Sequence, residues 1–155
     1  MLIRMSVRKV SGIAFAVGLL VLILAVDVQA KLDGKKVRAF TANIAKACQP
    51  KTTPFDEIHE IIGKGKPTAE EKCFVTCAIT KGGLLSNNGE FQPDGIKKIN
   101  EAMREFDDNP AEYKNIDEVI IANCGGIEKP EKCDKGYAIA ECSLKAFIDV
   151  HGNIF

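Results

Sequence analysis

The chain has 155 residues, with 21 basic and 21 acidic side chains and a 46% share of hydrophobic residues. Residues 1–30 hold three of the basic residues and one of the acidic ones, so the remaining 125 residues carry a net charge of −2. That length suits one domain, and the charge balance excludes nucleic-acid binding through a basic stripe.

The first thirty residues have the pattern of a secretory signal peptide. A basic segment, 1–9, precedes the apolar run 10–26, and Val28 and Ala30 place small side chains ahead of a cut before Lys31. A membrane anchor is the alternative, because 17 apolar residues approach the length of a membrane span. We favour secretion, since the cysteines that follow are typical of an oxidising compartment. The sequence therefore predicts a signal peptide over 1–30 and a mature domain over 31–155.

From residue 31 onward, apolar residues recur at helical spacing. The stripe Val37–Ala47 predicts a first helix. Thr53-Pro54, a capping residue followed by proline, predicts the start of a second helix that ends at Gly63. Thr68–Glu71 has the capping-box form and predicts a third helix that ends at Gly82.

The second half of the chain continues the helical pattern. Pro93 predicts the start of a fourth helix, and Asn109-Pro110 predicts the start of a fifth that runs to Cys124. The stripe Cys133–Phe147 predicts a last helix, followed by a tail over 149–155. Since no segment shows convincing strand alternation, the predicted fold class is all-α, a compact shell of about six helices.

The six cysteines predict disulfides, because their number is even and the chain is short and exported. Cys73 and Cys77 are four residues apart and share one helix face, whereas Cys133 and Cys142 are nine apart and face opposite sides. Neither pair closes without breaking its helix, which leaves ten of the 15 pairings of six cysteines. Three disulfides and no free thiol are expected.

Catalytic and metal-binding patterns are missing. The two histidines, His59 and His151, belong to no zinc-protease, zinc-finger or serine-hydrolase motif. His59 is surrounded by acidic residues and is expected to be exposed on the second helix. We therefore expect no enzymatic activity, no cofactor and no metal.

The cysteine spacing resembles that of insect odorant-binding proteins of the pheromone-binding and general odorant-binding family. The gap of three residues between Cys73 and Cys77 fits, as does the gap of eight between Cys133 and Cys142. The segment Lys72–Cys77 and the turn residues after it resemble the family's third helix and the turn that follows that helix. The resemblance implies three disulfides, Cys48–Cys77, Cys73–Cys133 and Cys124–Cys142, around an apolar pocket.

The same resemblance implies a soluble extracellular carrier of small hydrophobic molecules, such as odorants, pheromones or related lipids, that delivers them to membrane receptors. A monomer or weak homodimer is expected. The alternative is a secreted interaction or defence protein of saliva, venom or reproductive fluid on the same scaffold.

Inward positions of the helical stripes, together with the end of the chain, predict the ligand contacts. These are Phe40, Ile44, Val75, Ile79, Leu84, Met103, Ile121, Leu144 and Phe147, with Ile154 and Phe155 as a cap over the pocket. His151 is a candidate pH-sensitive latch for that cap, because an imidazole titrates near pH ~6.5. A guest that buries ~12 methylenes, at about 0.8 kcal/mol each, would bind with roughly micromolar affinity.

Overall fold

The computed structural model describes residues 31–155, and the predicted signal peptide lies outside the described residues. Within these residues, six α-helices and one short 3-10 helix follow each other. They are α1 (Gly34–Ala45), the 3-10 helix (Lys46–Cys48), α2 (Ile58–Gly63), α3 (Ala69–Lys81), α4 (Pro93–Arg104), α5 (Asp117–Cys124) and α6 (Lys132–His151). Strand pairing in this part of the chain is limited to two isolated bridges, Leu32 with Asp107 and Leu85 with Phe91. The all-α prediction with about six helices and three disulfides is confirmed.

Two helices begin where the sequence predicts. At the start of α3, the Glu71 N–H donates to the Thr68 hydroxyl at 3.2 Å and the Thr68 N–H donates to the Glu71 carboxylate at 2.7 Å. This reciprocal pair satisfies two backbone donors that a helix end leaves free. Pro93 occupies the first turn of α4, where its missing N–H costs nothing.

The predicted start of the second helix at Thr53-Pro54 is wrong, because α2 begins only at Ile58. The Gln49 side chain explains the delay. Its amide oxygen accepts from the Phe55 N–H at 2.8 Å and its amide nitrogen donates to the Phe55 carbonyl at 3.1 Å. With both backbone groups of Phe55 bonded to a side chain, the residue is unavailable to a helix ladder.

The predicted helix start at Asn109-Pro110 is also wrong, since a turn follows and α5 begins at Asp117. The Glu112 N–H donates to the Asn109 carbonyl at 2.9 Å, which closes that turn. The start of α5 is instead set from α4, where the Asn100 side-chain oxygen accepts from the Ile116 N–H at 3.2 Å.

The contact between α3 and α6 forms the centre of the fold. Gly136 of α6 faces Thr76 of α3, and a Cβ atom at residue 136 would overlap the Thr76 side chain. The Thr76 hydroxyl donates to the Cys133 carbonyl at 3.0 Å, beside the Cys73–Cys133 disulfide. The two helices therefore meet at a distance that only glycine at residue 136 permits.

The disulfides connect the shell at three points. Cys48–Cys77 ties the 3-10 helix to α3, Cys73–Cys133 ties α3 to α6, and Cys124–Cys142 ties α5 to α6. This is the pairing that the resemblance implies, and all six cysteines are bonded. None of the helices between residues 31 and 155 combines the length and apolar composition of a membrane span.

Candidate ligand-binding cavity

A cavity of about 170 Å³ lies inside the shell, and every one of the six helices contributes to its wall. The wall is almost entirely apolar. Its hydrocarbon side chains include Val37 from α1, Ile62 from α2, Ile99 from α4 and Ile120 from α5. Such a space favours an apolar guest, because water entering it would find few hydrogen-bond partners.

Eight of the eleven predicted ligand contacts line this cavity. They are Phe40, Ile44, Ile79, Leu84, Met103, Leu144, Phe147 and Phe155. They come from α1, α3, α4, α6, the turn after α3 and the end of the chain, so the fold brings together residues that lie up to 115 positions apart. Their contact with a ligand remains a prediction.

Val75, Ile121 and Ile154 do not belong to the cavity wall. Val75 is fully buried in the core one turn before Ile79. Ile121 follows the lining residue Ile120 and is only half-buried against the core. Ile154 packs beside α1. Apolar residues face inward whether they pack against another helix or line a cavity. Their spacing alone therefore does not distinguish the two.

His59 is a functional candidate that the sequence pattern places wrongly. Predicted to be exposed, it lines the cavity, and 21% of its side chain is accessible. Its ring stacks on Phe155 with ring centroids 4.6 Å apart and an angle of 17° between the planes. Its Nδ1 lies 3.3 Å from the Glu57 carboxylate. The end of the chain crosses α2 and covers this ring, an arrangement that no local pattern around residue 59 indicates.

The end of the chain turns back onto the shell at Gly152. This glycine has φ +78°, and its N–H donates to the Ile148 carbonyl at 2.8 Å. The Ile154 carbonyl then accepts from Arg38 Nη1 at 3.3 Å and lies over Gly34, where a Cβ atom would overlap it. Ile154 thus anchors the tail (residues 152–155) on α1, while Phe155 reaches the cavity.

An outer groove of about 360 Å³ adjoins the cavity. The two spaces share the side chains of His59, Ile62, Leu144 and Phe155. Polar residues, Glu141, Lys145 and Asn153, line only the outer groove. The stacked pair of His59 and Phe155 therefore stands between an apolar interior and a more polar entrance.

His151 occupies the last turn of α6 rather than the predicted tail. Its ring stacks on Tyr113 at 4.9 Å and contacts Phe147 at 5.0 Å between centroids. Burial lowers the pKa of His151, against the opposing effects of a hydrogen bond to the Lys114 backbone and of the nearby Asp107 carboxylate. His151 is not in the cavity wall, and it reaches the wall only through Phe147.

A buried asparagine organises the polar side of the wall. Asn100 of α4 accepts from the Tyr113 hydroxyl at 3.0 Å and donates to the Asn115 side chain at 3.0 Å. Burial raises the pKa of Tyr113 to about 12. Because its oxygen also accepts from the backbone of Ile116, Asn100 is satisfied by the protein itself.

Comparison with protein-family models matches residues 31–146 to the PBP/GOBP family. No curated protein and no solved structure gives a significant match. The matched range contains all six cysteines and six of the eight predicted contacts that line the cavity; Phe147 and Phe155 lie beyond its end.

Proposed function

Since the chain belongs to the PBP/GOBP family, whose members are small soluble odorant- and pheromone-binding carriers, we propose that it carries small hydrophobic molecules in extracellular fluid. The ligands are odorants, pheromones or related lipids. They are bound in the cavity between the six helices and delivered to a membrane receptor.

The apolar cavity carries this proposal. Its volume of about 170 Å³ is close to that of a hydrocarbon-lined cavity of ~150 Å³ that stays dry and binds benzene. The comparison favours a guest near the size of one aromatic ring. A guest of ~12 methylenes, the size predicted from the sequence, has a larger volume than this cavity and would also occupy the adjoining outer groove.

We propose that residues 1–30 are removed and that the mature chain begins at Lys31, since the residues that follow are bonded to the rest of the domain. Leu32 is buried, and the Asp33 N–H donates to the Phe106 carbonyl at 3.0 Å. The Asp108 N–H donates to the Lys31 carbonyl at 3.3 Å. Mass spectrometry of the secreted protein, with Lys31 as the first residue, tests the proposed removal of residues 1–30.

The tail supports a second part of the proposal, a closing element over the cavity. Phe155 contributes to the wall and stacks on His59, while Ile154 holds the tail on α1. His151 acts on this closure through Phe147, whose ring lies 6.2 Å from that of Phe155. Protonation of His151 introduces a charge into this aromatic contact and favours opening.

The carrier function is tested by placing a charge in the cavity. Ile79→Glu and Met103→Glu should each abolish binding of N-phenyl-1-naphthylamine, an apolar fluorophore large enough to fill the cavity and extend into the outer groove. A desolvated carboxylate in the cavity excludes such a guest. Val119→Glu, at a residue of α5 that is 40% exposed, is the matched control and should bind as the unmodified protein does. Circular dichroism checks that the helices persist.

Unchanged fluorophore affinity in both folded cavity variants would refute the proposal. If the charged variants unfold, the neutral variants Ile79→Asn and Met103→Gln replace them, and the same comparison with Val119→Glu applies. Failure of the unmodified protein to bind any apolar probe would also refute it and would favour the surface-acting alternative.

A further inference from the structure

Ser143 is the polar member of an otherwise apolar stripe. Along α6 the cavity wall is formed by Ala140, Ser143, Leu144 and Phe147, the spacing of one helix face. The hydroxyl oxygen of Ser143 is buried and has no hydrogen-bond partner among the described residues. A buried hydroxyl without a partner is unfavourable, so its retention in a hydrocarbon wall requires a reason.

The other serine and threonine hydroxyls within the helices show the usual solution (the Tyr137 hydroxyl of α6 is also buried without a partner, but Tyr137 is not in the cavity wall). Thr41, Thr76 and Thr80 each donate to the carbonyl four residues earlier, at 3.2, 2.8 and 2.8 Å. A serine or threonine inside a helix commonly satisfies itself in this way. Ser143 is the exception, and its hydroxyl is free to interact with a molecule in the cavity.

Two other polar side chains of the wall, Thr41 and Asn100, are already hydrogen-bonded within the protein. The Thr41 hydroxyl donates to backbone carbonyls of α1, and both side-chain atoms of Asn100 bond to neighbouring residues. The His59 ring is stacked on Phe155 beside the Glu57 carboxylate. Ser143 also lies away from the outer groove, whose wall does not include it. The unused hydrogen-bonding group therefore belongs to the interior and not to the entrance.

We propose that the ligand is a compound near one aromatic ring in size that carries a single hydroxyl or carbonyl group, and that Ser143 Oγ forms a hydrogen bond with that group. The inference rests on the proposed carrier function. A serine hydroxyl both donates and accepts, so it suits an alcohol, a phenol, an aldehyde or a ketone. A hydrocarbon of the same shape leaves Ser143 without a partner and therefore binds with lower affinity.

Two ligands of the same shape test this proposal. Benzyl alcohol and ethylbenzene differ by a hydroxyl in place of a methyl group. Their dissociation constants are measured by calorimetry for the unmodified protein, Ser143→Ala, Ser143→Thr and Thr80→Val. We expect Ser143→Ala to weaken benzyl alcohol binding about tenfold, equivalent to about 1.4 kcal/mol, and to change ethylbenzene binding less than twofold.

The other variants control for shape and for the loss of any hydroxyl. Ser143→Thr keeps the hydroxyl and should retain the preference for benzyl alcohol. Thr80→Val removes a hydroxyl that is already bonded to the Thr76 carbonyl, at a residue outside the cavity wall, and should leave the ratio of the two affinities unchanged. An unchanged ratio in Ser143→Ala, with both ligands still bound, would overturn the role of Ser143 and leave the carrier function standing. Absence of binding by both ligands to the unmodified protein would overturn this inference, while binding of N-phenyl-1-naphthylamine separately decides the carrier function.

Discussion

The half-buried ring of His151 is expected to make the stability of the fold sensitive to pH. Its ring lies between the aromatic side chains of Tyr113 and Phe147, and its Nε2 is buried without a hydrogen-bond partner. An imidazolium ion in this position loses hydration, and this effect outweighs the attraction of the Asp107 carboxylate, so the pKa of His151 is lowered.

The sign of the effect follows from the two protonation states. An unfolded imidazole has a pKa of about 6.5, and above that pH His151 is neutral whether the chain is folded or not. As the pH falls from about 6.5 toward the lowered folded pKa, the unfolded chain binds the proton more readily, and the free energy of unfolding decreases. His151→Phe keeps the stacking and removes this titration.

We expect the unmodified protein to lose more stability than His151→Phe between pH 7 and pH 5. The measurement is urea denaturation of both proteins at several pH values. The reference is pH 8, where His151 is neutral in both the folded and the unfolded chain. Parallel curves for the two proteins would contradict the assignment of this pH dependence to His151.

At the scale of helices and loops, local signals predict a boundary only where no distant group competes. Thr68 starts its helix as expected because its hydrogen-bond partner, Glu71, lies within the same turn, and Pro93 does so because its ring fixes a helical φ. Thr53-Pro54 and Asn109-Pro110 carry equally good signals and fail. In the first case Gln49 holds Phe55 outside the helix, and in the second Asn100 selects the start of α5 from a distance along the chain.

The cavity wall, like the helix boundaries, depends partly on local sequence and partly on contacts between distant residues. Helical spacing identifies inward residues such as Ile79 and Met103, but Val75 belongs to the same face of α3 and is packed solidly. Whether an inward residue meets a neighbour or a space depends on how close the helices approach, and Gly136 sets one of those distances from another part of the chain. The position of His59 depends likewise on the path of the tail.

The docking of the tail on α1 gives a prediction at this scale. Gly34→Ala places a Cβ atom where the Ile154 carbonyl lies, so the tail should shift while α1, which prefers alanine, stays intact. We expect N-phenyl-1-naphthylamine to dissociate several-fold faster, as measured by stopped-flow fluorescence. Gly63→Ala, at the end of α2 with open space around it, is the matched control. Equal dissociation rates in the two variants would show that the tail does not close the cavity.

For the molecule as a whole, the disulfides offset the cost of a hollow interior. A cavity of about 170 Å³ costs about 4 kcal/mol at ~24 cal/mol per Å³. Each disulfide contributes on the order of 2–4 kcal/mol by restricting the unfolded chain. The three together therefore permit a space that short helices alone would fill or fail to enclose.

The number of residues that each disulfide encloses predicts which disulfide stabilises the fold more. Cys73–Cys133 closes a separation of 60 residues and Cys124–Cys142 one of 18. Loop-closure entropy then makes the first worth about 1 kcal/mol more than the second. Replacing each pair by alanines and measuring guanidinium denaturation should show the larger loss of stability for residues 73 and 133. A larger loss for residues 124 and 142 would contradict this ranking.

The central claim is that ligands occupy a cavity of limited volume inside the helical shell. Displacement of N-phenyl-1-naphthylamine by alkylbenzenes of increasing chain length, from benzene to hexylbenzene, tests it most directly. We predict that affinity rises over the first one to three methylenes, as apolar area is buried, and then falls when the cavity of about 170 Å³ is full. Ile99→Phe, which adds volume to the wall, should move the maximum to a shorter chain. A steady rise in affinity up to hexylbenzene, unaffected by Ile99→Phe, would contradict the account, because that result is expected of binding to an open surface.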